Sequence, residues 1–224
     1  MARKRDLRQL DFTKHPVGTR QPRKLFLIVT EGQTEEKYFR HLQKALSLLK
    51  SSVRVEFEVV SSKNGTDPAS VLSEMMKLLD EKKKDDRLRS GDFAWIVVDE
   101  DEGIQEQFDK VQEWLAERPD RFLGYSKPQF EYWLCLHFDK ITGVATQKKC
   151  MEKLKSFVPT YKKNDDKLLS SFSENVILAA VTHAHELRPK ITLESTVADL
   201  RDTPAAVTTV HLLVEQLIQL RDSH

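Results

Sequence analysis

The chain has little of what marks several large protein classes. Its seven glycines are scattered, and no glycine-rich phosphate loop occurs, so the chain is not expected to hydrolyse ATP by itself. No apolar run approaches the roughly 18 residues that a membrane span needs, and the N-terminus lacks the apolar core of a secretory signal. A cytoplasmic protein without a membrane role is expected. There are two cysteines, Cys135 and Cys150, in apolar or helical contexts with no paired spacing. They read as reduced core thiols rather than a disulfide framework. No Ser-His-Asp arrangement is readable. The aromatic residues fall on inward faces, without the interleaved Arg-aromatic surface that would signal base stacking. Internal repeats and low-complexity tracts are absent as well.

What is present is a charge-rich chain of 224 residues with a net charge of +1. That length supports one large domain, or one domain with an appendage. The near-neutral total hides an asymmetry. Residues 1–24 carry eight basic side chains against two acidic ones, a surplus of six, so the remaining 200 residues carry −5. A basic arm over residues 1–23 suits contact with phosphates; a solvated tail has the same composition.

Leu25–Val29 is continuously apolar and stops at Thr30-Glu31-Gly32. Thr34 then opens a helix, with Glu35 and Glu36 at the positive end of its dipole. Tyr38, Leu42, Ala45 and Leu49 recur at helical spacing on its buried side. Val53–Val60 alternates apolar and charged residues, as a half-buried strand near a sheet edge does. Pro68 suits the first turn of a second helix, which frays through Glu81–Arg89. Phe93–Val98 is almost wholly apolar, the pattern of a central strand covered on both faces, and it runs into Asp99-Glu100-Asp101-Glu102-Gly103.

A helix from about Ile104, a short strand at Arg121–Tyr125 and an apolar helix at Pro128–Phe138 follow. Beyond Gly143 the pattern predicts helices near Thr146–Phe157, Glu174–Leu187 and Pro204–Asp222, with no clear strand. Lys162–Lys167 reads as a solvated loop. Alternating strands and helices predict an α/β fold with a mostly parallel sheet over residues 24–142. A helical extension over residues 143–224 packs on it.

The chemistry lies at two acidic strand ends. Asp99 and Asp101 are two positions apart, so an extended strand points both carboxylates to one side. If the strand ending at Glu31 lies beside the one ending at Asp99, about 4.8 Å away, three carboxylates converge. Such charges repel in a partly dry site unless some protonate or a cation neutralises them. Mg²⁺ or Mn²⁺ is the natural partner for oxygen ligands. Glu35, one helical turn past Glu31, would add a ligand for a second ion. Each piece has a plainer reading: Asp101 as a helix cap, Glu31-Gly32 as a turn. His183 and His185 sit two apart on a helix and face different ways, and His137 reads as a hydrogen-bonded core histidine.

These residues resemble the Toprim domain of topoisomerases, primases and overcoming-lysogenization-defect nucleases: an apolar strand ending in Glu-Gly, then an Asp-x-Asp strand end. More narrowly, the chain resembles the RloB-like proteins of bacterial defence and restriction-modification loci. The resemblance is carried by GTRQPRKLFLIVTEGQTEEKYF, VVDEDE and SKPQFEYWLCLHF, and more weakly by PAAVTTVHLLVEQL. It implies a Toprim-like sheet, with Glu31 as general acid/base or metal ligand and Asp99 and Asp101 as metal-binding aspartates. Glu35 matches the glutamate that nucleases of this class add for a second metal.

Glu131 is the remaining suspicious carboxylate, catalytic or salt-bridged. Lys127 departs from the family's usual small polar residue, and it either reaches a scissile phosphate or is merely exposed. Glu100 stands where a basic residue is commoner. The implied function is metal-dependent cleavage of DNA or RNA, tRNA included, in anti-phage defence with an ABC-type ATPase partner; a homo-oligomer is compatible with it. Two other functions fit the same residues: a non-catalytic binding subunit of an ATPase complex, and nucleotidyl transfer of the primase kind.

Overall fold

The computed structural model describes residues 23–46, 54–62, 65, 67–89, 91–100 and 105–222. Residues 1–22 of the basic arm, Leu49, Val53, Asp101 and Ile104 lie outside them. Five strands form one sheet: β1 (Arg23–Thr30), β2 (Arg54–Ser61), β3 (Phe93–Asp99), β4 (Arg121–Lys127) and β5 (Val207–Thr208), in the order β2-β1-β3-β4-β5. The first four are parallel, and β5 is antiparallel to β4. The predicted edge strand is the edge strand, and the predicted central strand is central.

The α/β class follows directly from these patterns. Phe26–Val29 and Trp95–Val98 are essentially fully buried, since a parallel strand covered on both faces has no polar side.

Nine helices are present among the described residues. They are α1 (Gln33–Ala45), α2 (Pro68–Lys84), α3 (Gln105–Ala116), α4 (Glu131–Leu136), α5 (Gln147–Phe157), α6 (Asp166–Ser171), α7 (Glu174–Leu187), α8 (Val197–Asp202) and α9 (Val210–Asp222). Asp67 caps α2, accepting from the amides of Ala69 and Ser70, with Pro68 in the first turn. Thr146 caps α5 in the same way. Thr196 and Asp199 form a capping box on α8.

Four sequence expectations need correction. The cap of α1 is Gly32 and receives no side-chain bond; the Thr34 hydroxyl is engaged elsewhere. The helix expected over Pro128–Phe138 is confined to Glu131–Leu136, after a cis Lys127-Pro128 bond. The stretch from Pro204 does not start a helix: Val207–Thr208 first joins the sheet as β5. The C-terminal third therefore adds a strand, two residues long and too short to show alternation. Finally, Asp166 and Lys167 of the expected solvated loop begin α6.

The chain reverses direction across the sheet. It steps from β1 outward to β2, then crosses back to β3 on the other side of β1. Right-handed crossovers place α1 on one face and α2 and α3 on the other, and α2 packs against α3. The connections leaving the carboxyl ends of β1 and β3 thus diverge and leave a crevice between them. In open α/β sheets ligands bind in this crevice.

Candidate active site

The crevice holds a cavity of about 350 Å³ lined by Glu31, Glu35, Asp99, Glu100, Glu131 and Lys163, among others. Its register is fixed by the sheet. Thr30 lies opposite Val97, the Glu31 amide donates to the Val97 carbonyl at 3.2 Å, and Asp99 follows two residues on. The predicted meeting of the two acidic strand ends is therefore present for Glu31 and Asp99. Asp101 lies outside the described residues.

Glu35 reaches the cavity from the first turn of α1. Burial pushes its carboxyl up to about 7, the Glu131 charge adds to this, and Lys163 opposes it. Its Oε2 is buried without a hydrogen-bond partner. A Cβ on Gly32 would stand 2.8 Å from that same oxygen, so alanine here would push the Glu35 carboxylate aside. Asp99 is held well above the usual carboxylate range, first by burial and then by the charges of Glu35, Glu31 and Glu131.

Glu131 opens α4 and is buried; the Tyr161 hydroxyl donates to its Oε1 at 3.2 Å. Among the described residues its buried carboxylate is thus answered by a phenol rather than by a salt bridge. Burial and the Glu131 charge together raise the proton affinity of Tyr161.

Two residues flagged by the sequence take other positions. The Lys127 ammonium donates to the carbonyls of Arg201 (2.6 Å) and Thr203 (3.1 Å) at the end of α8. It lines a neighbouring cavity rather than the one around Asp99. Glu100 accepts from the Tyr125 hydroxyl and from Arg201 Nε and Nη2, each at 3.3 Å. Arg201 supplies from α8 the positive charge that position 100 itself lacks.

His137 is a core residue, as expected: its ring nitrogens meet the Trp133 carbonyl (3.0 Å) and the Tyr38 hydroxyl (3.1 Å). His183 and His185 diverge, toward the Leu136 carbonyl and toward Glu215. Cys135 and Cys150 are free and buried.

Lys163, Asn164 and Tyr161 carry no local signal that marks them as site residues. The first two sit in a segment that reads as solvated, and all three reach the site from about 130 residues beyond Glu31. Thr34 brings them there. Its hydroxyl donates to Asn164 Oδ1 (2.9 Å) and accepts from the Asn164 amide (3.1 Å). Asn164 adopts a left-handed conformation, φ +65°, which asparagine tolerates better than most residues.

The donor set is all oxygen and anionic, the kind that suits a hard divalent cation. The orphaned Glu35 Oε2 and the mutually repelling carboxyls fit one. Among the described residues no three His, Cys, Asp or Glu side chains already converge on a common point. The carboxylates ring the cavity, so ligation requires them to turn inward.

Fold and site together define an α/β protein with an acidic cavity at the switch point of a mostly parallel sheet. The chain belongs to the RloB-like protein family, whose model matches residues 26–217. No curated protein and no solved structure matches it.

Proposed function

We propose that this protein is a Mg²⁺- or Mn²⁺-dependent nuclease of the Toprim type, hydrolysing phosphodiester bonds of DNA or RNA. The observation that carries the reading is Asp99: a half-buried carboxyl at the end of a central strand, lining one cavity with Glu31, Glu35 and Glu131, whose charges hold its proton on. A protein core seldom retains such a cluster without a compensating cation. The switch-point position and the family membership support the same reading. Bacterial anti-phage defence and an ABC-type ATPase partner rest on the family resemblance alone.

In this reading Glu31, Glu35 and Asp99 would hold one or two ions, with Asp101 as a further ligand. A bound divalent ion supplies charge stabilisation at phosphorus and a more acidic water. The chain's own part is to orient and to shuttle protons. Glu31, which lines the cavity, would take a proton from the attacking water where it does not itself ligate an ion. Glu131, its Oε1 held by Tyr161, fixes the far wall. Lys163 stands at the mouth, where a phosphate enters.

Calorimetry with Mn²⁺ and a cleavage assay test this together. Wild type is expected to take up Mn²⁺ and cleave, and Asp99→Asn to do neither while keeping its fold. An intact wild-type fold that takes up no Mn²⁺ at millimolar concentration rejects the nuclease and leaves a binding subunit.

A further inference from the structure

The acidic cavity is bordered by a basin of opposite character. Lys155 and residues 159–167 line a shallow depression of about 890 Å³ that shares Lys163 and Asn164 with the cavity. Four lysines stand along it, Lys155, Lys162, Lys163 and Lys167, all exposed. None of them makes a salt bridge among the described residues, whereas the two acids of the same stretch are engaged. Asp165 caps α6 through the amides of Lys167 and Leu168. Asp166 accepts from Lys37 at 2.9 Å. The basin therefore carries a surplus of positive charge, four lysines against two aspartates, on a body that is otherwise acidic, and it adjoins the acidic cavity.

This arrangement is not explained by solubility. The loop is fastened to α1 by Thr34 with Asn164 and by Lys37 with the Asn164 carbonyl (3.2 Å). Lys163 is thereby held within electrostatic reach of Glu35. A solvated charge run would need no anchor.

The ligand chemistry follows from the lining. The neighbouring rings are committed elsewhere: Tyr161 is buried on Glu131, and Phe157 stacks on Phe138 with centroids 5.0 Å apart. No base-stacking platform adjoins the basin among the described residues. Point-charge ammoniums spaced along an open trough recognise backbone phosphates rather than bases.

We propose that Lys155, Lys162, Lys163 and Lys167 form a track that binds the phosphodiester backbone of a single nucleic-acid strand, independent of sequence, and leads it over Lys163 into the Glu31–Asp99 cavity. The proposal deepens the nuclease reading, and rests on it for the fate of the strand but not for the binding.

The test is fluorescence anisotropy with a labelled, mixed-sequence 20-nucleotide strand, one arm DNA and one RNA, in EDTA across 50–300 mM salt. The full-length protein carries Asp99→Asn to prevent cleavage. Each phosphate contact contributes about 0.7 to the slope of log affinity against log salt for single strands. The double change Lys162→Ala/Lys163→Ala should therefore flatten the slope by about 1.4. It should also weaken binding about twenty-fold near 0.1 M salt. The control Lys83→Ala/Lys84→Ala, at the far end of α2, should change neither. Equal affinity for DNA and RNA, or a preference for one with the same slope change, supports the track. Three results overturn it: no binding of either strand at 50 mM salt, an unchanged slope in the double variant, or equal competition by poly-glutamate. If the Asp99→Asn protein shows any of these while the wild-type protein takes up Mn²⁺ and cleaves, the nuclease stands and the track is removed. Binding retained without cleavage does the reverse.

Discussion

The hydroxyl of Thr34 both donates to and accepts from Asn164, 130 residues away, and so ties the first turn of α1 to the loop that carries Lys163. A residue that the sequence offers as a helix cap is instead a long-range fastening. Position 34 therefore affects two things at once, the stability of the docked loop and the placement of a charge beside the cavity.

Thr34→Val keeps the shape and removes both bonds. Losing the two hydrogen bonds to the Asn164 amide and Oδ1 should cost about 2 kcal/mol, a fall in Tm of ~4–8 °C for a domain of this size. Thr34→Ser should recover most of it. Thermal melts of the three proteins check this, and a Val variant that melts with wild type would remove the fastening.

Gly32→Ala separates stability from function. The added methyl meets only the far end of a flexible side chain, Glu35 Oε2 at 2.8 Å. The backbone there is extended, φ −138°. Tm should change by less than about 2 °C. The displaced carboxylate should weaken Mn²⁺ uptake at least ten-fold by calorimetry. An unaltered affinity would take Glu35 out of the ligand set.

Neutralising the cluster should raise the stability of the metal-free protein. Asp99→Asn or Glu35→Gln removes a repelling charge from a buried group, and each is expected to stabilise by about 1–2 kcal/mol at pH 8 in EDTA. Mn²⁺ should then stabilise wild type but not the variants. Urea denaturation with and without Mn²⁺ decides it, and a destabilised Asp99→Asn protein in EDTA argues for a structural aspartate.

Stability should pass through a maximum between about pH 6 and 7. Burial pushes His137 down to about 3, and burial with the charge of His185 does the same to His211. Below the ordinary histidine value of ~6.5 the unfolded chain takes up these two protons and the folded one does not. Stability therefore falls with falling pH, by roughly 2 kcal/mol per histidine at pH 5. Glu35 acts on the other side: its folded value of about 7 lies above the ordinary 4.5. The stability it confers is complete below the ordinary value and is lost as pH rises through 7. Melts in EDTA from pH 5 to 9 should show both limbs, and Mn²⁺ should flatten the alkaline one. A flat profile below pH 6 would contradict the buried neutral histidines.

The sequence alone determined the α/β class, the central and edge strands, and the two acidic strand ends, while the sheet order set those ends side by side. Each of these depends on local pattern: continuous apolarity for a strand covered twice, alternation for one covered once, and carboxylates where such a strand stops. Only the tertiary structure decided that Lys127 turns to the end of α8, that Arg201 answers Glu100, and that Val207–Thr208 closes the sheet. It also brought Tyr161, Lys163 and Asn164 to the acidic cavity. These are contacts between side chains a hundred or so residues apart, set by how helices dock on a finished sheet. A solvated lysine and a lysine held at the mouth of an active site read the same until the fold brings their neighbours together.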